Sequence, residues 1–93
     1  MKPTLLDKEG NTLLIDDWVI YETAPTSLLK NLPASDQAAI KKQELKPIKI
    51  IGFDAYGHAE LEFLDEQGIL HSIWIDAKTI LKVNLEESLN FKD

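Results

Sequence analysis

Apolar and polar residues alternate at period two over most of the second half of the chain. Three such runs, Ile48–Asp54, His58–Leu64 and Ile69–Ile75, are separated by short polar breaks. Alternation of this kind predicts β-strands. An earlier run, Asp17–Glu22, is rich in aromatic and β-branched residues and reads as another strand. Between it and the alternating region the period lengthens. Ser27–Leu32 fits one short helical turn, stopped before Pro33, and Ser35 is placed to N-cap a helix over Asp36–Glu44. Asp36 near its start and Lys41 and Lys42 near its end suit the helix dipole, and Pro47 closes the segment. After the alternating region, Asp76-Ala77-Lys78 predicts a tight turn into a last short strand, Ile80–Val83. The tail from Asn84 to Phe91 either forms a terminal helical turn with Leu85 and Leu89 on one side or frays.

The polar breaks share a pattern, Asp-x-x-Gly, found at Asp7–Gly10, Asp54–Gly57 and Asp65–Gly68. In a three-residue hairpin loop the first-position Asp accepts backbone N–H bonds, and Gly takes the left-handed conformation that closes a bulge. A calcium loop is the rival reading, but the oxygen spacing of an EF-hand is absent. The first copy is flanked by Thr4–Leu6 and Thr12–Ile15, which predict a short N-terminal hairpin. The third fixes a register with Leu64 opposite Leu70, Phe63 opposite His71, Leu61 opposite Ile73 and Trp74 opposite Glu60. A one-residue slip would mix glutamates into the apolar face. The same loop at residues 55–57 puts Phe53 opposite Ala59 and Ile51 opposite Leu61. The expected core face is then Ile51, Phe53, Ala59, Leu61, Phe63, Ile73 and Ile75. The opposite face carries Ile48, Ile50, Gly52, Glu60, Glu62, Leu64, Leu70, Ser72 and Trp74, with Leu64 beside Ile48. Apolar groups on both faces mean that the second face is either covered by the helical insert or open to a partner.

Composition narrows the function. The 93 residues form one domain, with a helical insert at about 25–46 and a tail at 84–93, and 44 % of them are hydrophobic, as in a globular protein. Ten lysines, no arginine and 16 acids give a net charge of −6, which disfavours nucleic acid and an anionic membrane surface. The imbalance is local. The stretch from Ile50 to Ala77 holds six acids (Asp54, Glu60, Glu62, Asp65, Glu66 and Asp76) and no lysine, so the other ten acids cancel the ten lysines. No apolar run approaches the roughly 20 residues of a membrane-spanning helix, and Asp7 interrupts any secretory signal. Without cysteine there is no disulfide, zinc-thiolate site or thiol nucleophile. The expectation is a cytoplasmic protein.

Candidate chemistry is sparse. His58, Glu60 and Glu62 share one strand face, but alternate side chains stand about 6.6–6.8 Å apart, too wide for one ion unaided. No metal or cofactor is expected. His71 falls on the core face opposite Phe63 and is expected at the sheet edge with a backbone hydrogen bond. Ser72 points to the other face and cannot pair with it. Glu60 and Glu62 lack a concave pocket that would shift one pKa for acid–base work. The glycines are single and sit in hairpins, not in a phosphate-binding loop. No catalytic residue is assigned. The group that stands out is an apolar face rimmed by acids: Ile48, Ile50, Leu64, Leu70 and Trp74 with Glu60 and Glu62, and Tyr56 at a turn tip.

The succession of a strand (Trp18–Glu22), a meander (Ile48–Asp54, His58–Leu64, Ile69–Ile75), a tight turn (Asp76–Lys78) and a closing strand (Ile80–Val83) resembles an SH3-like barrel. The likeness covers about two thirds of the chain and is one of fold, without a KOW-type or Tudor-type signature. The helical insert Pro25–Lys46 is longer than the usual first loop. The expected architecture is a mostly β, small α+β, partly open five-stranded barrel. Barrels of this kind mostly bind peptides, modified side chains or RNA, so the resemblance implies a binding module. The expected function is non-enzymatic binding of another protein through the apolar, acidic face, whose negative rim would steer a basic partner. Two other readings are an immunity or inhibitor protein facing a basic toxin or enzyme, and a small metal-dependent enzyme or accessory subunit. Oligomeric state is not legible.

Overall fold

Five strands form one antiparallel sheet in the computed structural model, which describes residues 5–84. They are β1 (Trp18–Tyr21), β2 (Ile48–Phe53), β3 (His58–Leu64), β4 (Leu70–Asp76) and β5 (Ile80–Val83), in the spatial order β4-β3-β2-β1-β5. The sheet is not closed, since β4 and β5 are its two edges. Two short helices, α1 (Thr26–Leu29) and α2 (Ala34–Lys42), lie between β1 and β2. A single 3₁₀ turn, Ala77–Thr79, joins β4 to β5, and the Asp76 carboxylate caps it by accepting the Lys78 N–H at 2.9 Å. The expected terminal turn with Leu85 and Leu89 lies outside the described residues, as does Thr4 of the N-terminal hairpin. The rest of that hairpin is a single bridge, Leu6 to Thr12.

All three Asp-x-x-Gly turns form, by one mechanism. One carboxylate oxygen accepts two backbone N–H groups, two and four residues on. Asp7 takes Glu9 and Asn11, Asp54 takes Tyr56 and His58, and Asp65 takes Gln67 and Ile69, all at 2.8–2.9 Å. The glycine closing each loop has positive φ, +79° at Gly68. These turns fix the β3–β4 register as predicted, from Leu64 opposite Leu70 to Ala59 opposite Ile75.

The β2–β3 pairing departs from expectation. Phe53 faces Ala59 as predicted, but Ile50, not Ile51, faces Leu61. An extra residue, Ile51, is accommodated in a β-bulge between Ile50 and Gly52. The bulge inverts the faces of the residues before it. Ile48 and Ile50 turn inward and are buried, and Lys49 turns outward opposite Glu62. The reason is energetic. An unbroken register would place Lys49 on the core face, where an unpaired ammonium is very costly, and would leave two isoleucines in water. The expected pairing of Leu64 with Ile48 is lost for the same reason.

The helical insert packs on the inner face of the sheet. Ile40 of α2 and Leu29 of α1 join Val19, Tyr21, Ile48, Ile50, Leu61, Ile73, Ile75 and Ile80 in one core. The buried Tyr21 hydroxyl donates to the Ile40 carbonyl at 2.6 Å, and burial raises its pKa. The Ala24 N–H donates to the Glu44 carboxylate at 2.6 Å. Ser35 is not the N-cap of α2. Pro33 holds that position with φ −57° and no side-chain cap bond, and Ser35 lies inside the first turn. Pro33 is extended, with ψ 153°, and its carbonyl accepts the Gln37 N–H at 3.0 Å, which opens the helix without a side-chain cap.

Asp7 is the buried charge of the described residues. Beyond its two turn bonds, its second oxygen accepts the Asn11 side chain at 3.1 Å and the Lys82 backbone N–H at 2.8 Å. It thereby ties the N-terminal hairpin to β5. Burial alone would raise its pKa, but the converging N–H groups outweigh that and hold it below the ordinary range. Two outcomes follow. Asp7→Ala should lose roughly 2–3 kcal/mol in urea denaturation, because several N–H groups lose their acceptor. The wild-type contribution of Asp7 is complete above its unfolded pKa of about 4 and is lost as pH falls through the lower folded value, so the variant should lose less stability than the wild type on acidification. Gly68→Val should cost about 1–3 kcal/mol although nothing lies within 4 Å of the added Cβ, because the penalty is conformational; an unchanged midpoint would contradict the positive φ.

Candidate functional site

The outer face of the meander is built in rows across the strands. Leu64 and Leu70 form one row, Lys49, Glu62 and Ser72 the next, and Gly52, Glu60 and Trp74 a third. Leu64 is 63 % exposed, Leu70 57 % and Trp74 45 %, so three large apolar side chains stand in water on one face. Ile69, in the turn beside Leu70, is also exposed. Among the described residues both helices pack on the other face, which leaves this one uncovered.

Glu60 is fixed in place by its neighbours. Its Oε2 accepts the Ser72 hydroxyl at 2.7 Å on β4. Its Oε1 lies over Gly52 on β2, at 3.2 Å from where a Cβ would stand. A side chain at position 52 would push this carboxylate aside. The absent Cβ therefore lets Glu60 lie flat across the sheet beside Trp74.

Of the eight residues expected on the partner surface, five share this face: Leu64, Leu70, Trp74, Glu60 and Glu62. Ile48 and Ile50 do not; the bulge buries both in the core. Tyr56 is 86 % exposed at the β2–β3 turn, beyond the row of His58 and Asp76 and at the opposite end of β3 from Leu64. Sequence reasoning missed Lys49. It stands on the outer face opposite Glu62, with its ammonium 5.5 Å from the Trp18 ring and 3.9 Å from Asp16. The signal was present: a uniform register carries this lysine into the core.

The titratable groups outside the patch are held locally. His58 does not converge with Glu60 and Glu62, because its Nδ1 lies 2.9 Å from Asp54 Oδ2. Among the described residues no cluster of three His, Asp or Glu side chains is placed to hold a metal ion. His71 stacks on Phe63 with ring centroids 5.1 Å apart. Its Nε2 meets Asp65 Oδ2 at 2.9 Å, and its Nδ1 faces Asp36 of α2 at 3.9 Å. The expected backbone bond is thus a side-chain bond to the turn carboxylate. The His71 bond and the Ile69 N–H hold the Asp65 pKa below the ordinary range. Between α2 and the β3–β4 turn lies an open cleft of about 530 Å³, floored by Phe63 and His71 and bridged by the Lys42–Glu66 ion pair. Both ring nitrogens of His71 face carboxylates there, so it serves as a strut between helix and hairpin. Among the described residues no helix is long and apolar enough to cross a membrane.

No family model, no curated protein and no solved structure matches the chain.

The exposure of Trp74 has a direct optical readout. In a Trp18→Phe variant the remaining emission should be readily quenched by acrylamide. Iodide should quench it less, because Glu60 and Asp76 flank it and repel an anion. Protection from acrylamide would contradict an open outer face.

Proposed function

We propose that the protein is a non-enzymatic protein-binding module, an SH3-like barrel that engages a basic partner through the outer face of its meander. The observation that carries this reading is the exposed group Leu64, Leu70 and Trp74, flanked by Glu60 and Glu62, on the sheet face opposite the helical insert. An apolar centre with a Trp anchor and a charged rim is how protein interfaces are commonly built. The strand order β4-β3-β2-β1-β5 and the 3₁₀ turn before β5 support the barrel assignment. The six-acid segment supports a basic partner, since complementary charge speeds encounter and rejects wrong partners.

The test is a titration of the Trp18→Phe chain with a peptide of alternating lysine and leucine, followed by Trp74 emission. The emission should shift to the blue on binding. Replacing Glu60 and Glu62 together by glutamine should weaken binding several-fold at low salt, with a smaller effect at high salt. Equal affinity of wild type and variant, or no change in emission at millimolar peptide, would overturn the assignment.

A further inference from the structure

The two edges of the sheet differ in what their backbone groups meet. At β5 the N-terminal hairpin lies alongside: Lys8 N–H donates to the Ile80 carbonyl and Lys82 N–H to the Asp7 carboxylate, both at 2.8 Å. At β4, among the described residues, β3 is the single neighbour strand.

Which β4 groups point outward follows from two bonds. Asp65 N–H donates to the Ile69 carbonyl at 2.9 Å, and Ala77 N–H donates to the Gly57 carbonyl at 3.0 Å. In an antiparallel pair, inward-bonding residues recur every second position. Ile69, His71, Ile73, Ile75 and Ala77 therefore direct their N–H and C=O groups at β3. Leu70, Ser72, Trp74 and Asp76 direct theirs away from the sheet. Asp76 ends the free edge, because its carbonyl accepts the Thr79 hydroxyl at 2.7 Å. The same four residues carry their side chains on the outer face, so one strand offers a row of backbone bonds and the apolar anchors together. Edge strands are usually blunted by lysine, proline, a bulge or brevity. β4 runs seven residues, Leu70–Asp76, and has none of these.

We propose that the free edge of β4 takes up an extended segment of the basic partner as an added antiparallel strand; this rests on the reading of the outer face as a partner surface. Charge selects the occupant. Two copies of this chain paired through β4 would set their lysine-free acidic segments side by side. A basic segment instead meets Asp76 on β4 and Glu60 and Glu62 one strand further in. Its outer-face side chains alternate: apolar opposite Leu70 and Trp74, lysine or arginine opposite Ser72 and Asp76. Ser72 is short, so a long basic side chain opposite it can reach over to the glutamates.

The experiment uses the isotope-labelled full chain and a peptide whose alternate residues are leucine and arginine, separated by threonine. Amide exchange at Leu70, Ser72, Trp74 and Asp76 should slow by about tenfold or more when the peptide is bound, and that of β2 should not change. Ser72→Pro removes one outward N–H without touching the β3 ladder and should weaken binding about tenfold more than Ser72→Ala, which removes the same hydroxyl but keeps the N–H. If Ser72→Pro does not fold, the exchange result on the wild type decides. Should the peptide shift the Trp74 and Leu64 side-chain signals while the four amides exchange as before, edge addition is refuted and the partner surface stands. No shift anywhere at millimolar peptide refutes both. Protection of the four amides that rises with protein concentration alone assigns the edge to a second copy and refutes the proposal.

Discussion

The phase of β2 determines what each face of this sheet presents. A strand has two faces, and one inserted residue exchanges them. The bulge at Ile51 lets a single strand serve two neighbours with different demands. Before it, Ile48 and Ile50 fill the core beside Val19 and Leu61. After it, Gly52 opens the outer face so that Glu60 can lie across it, and Phe53 packs against the core from the other end. Without the bulge Ile51 would enter the core, but Ile48 and Ile50, worth about 1.5–3 kcal/mol each when buried, would face water, Lys49 would take a core position, and the acidic rim would lose it as a neighbour.

The three carboxylate-capped turns set the other half of the geometry. Each uses the same local bonds, yet each has a second long-range task. Asp7 reaches β5, Asp54 orients His58, and Asp65 orients His71 against Phe63. The turn that fixes the β3–β4 register thus also positions the ring that meets α2. Hairpin and helix are coupled through a side chain with 12 % of its surface exposed, where a hydrogen bond is less weakened by water.

What the sequence made legible is what depends on near neighbours. The Asp-x-x-Gly turns, the register of Phe63 with His71 and Trp74 with Glu60, and the strand Ile80–Val83 each follow from a few adjacent residues. What it hid depends on distant ones. Asp7 meets Lys82 across 75 positions, and no local pattern announces it. The start of α2 is hidden because Ser35 has the chemistry of a cap, whereas the extended backbone of Pro33 opens the helix two residues earlier. The bulge lay between these cases. The neighbouring Ile50 and Ile51 break the alternation, and the fate of Lys49 on the core face was the available clue. Of the patch, the β3 and β4 members are legible and the two β2 members are not, since the alternation changes phase at the bulge.

The charge of the acidic segment has two physically distinct uses. Asp54 and Asp65 are spent on turns, Asp76 caps the 3₁₀ turn, and Glu66 pairs with Lys42. Asp54 and Asp65 are committed through both carboxylate oxygens, whereas Asp76 bonds through Oδ1 and can accept a new contact at Oδ2. All four are anions. Asp54, Asp65 and Glu66 have pKa values held low by their bonds, so they stay charged to lower pH than free carboxylates. Their field extends about 8 Å at physiological salt, enough to attract a cation approaching β4. In the proposed complex, close recognition would fall to Glu60, Glu62 and Asp76 beside the apolar anchors. Steering of such a partner would be shared by all six acids and would fall with salt. The contacts made after docking would belong to Glu60, Glu62, Asp76 and Trp74, and these would survive screening better because they exclude water.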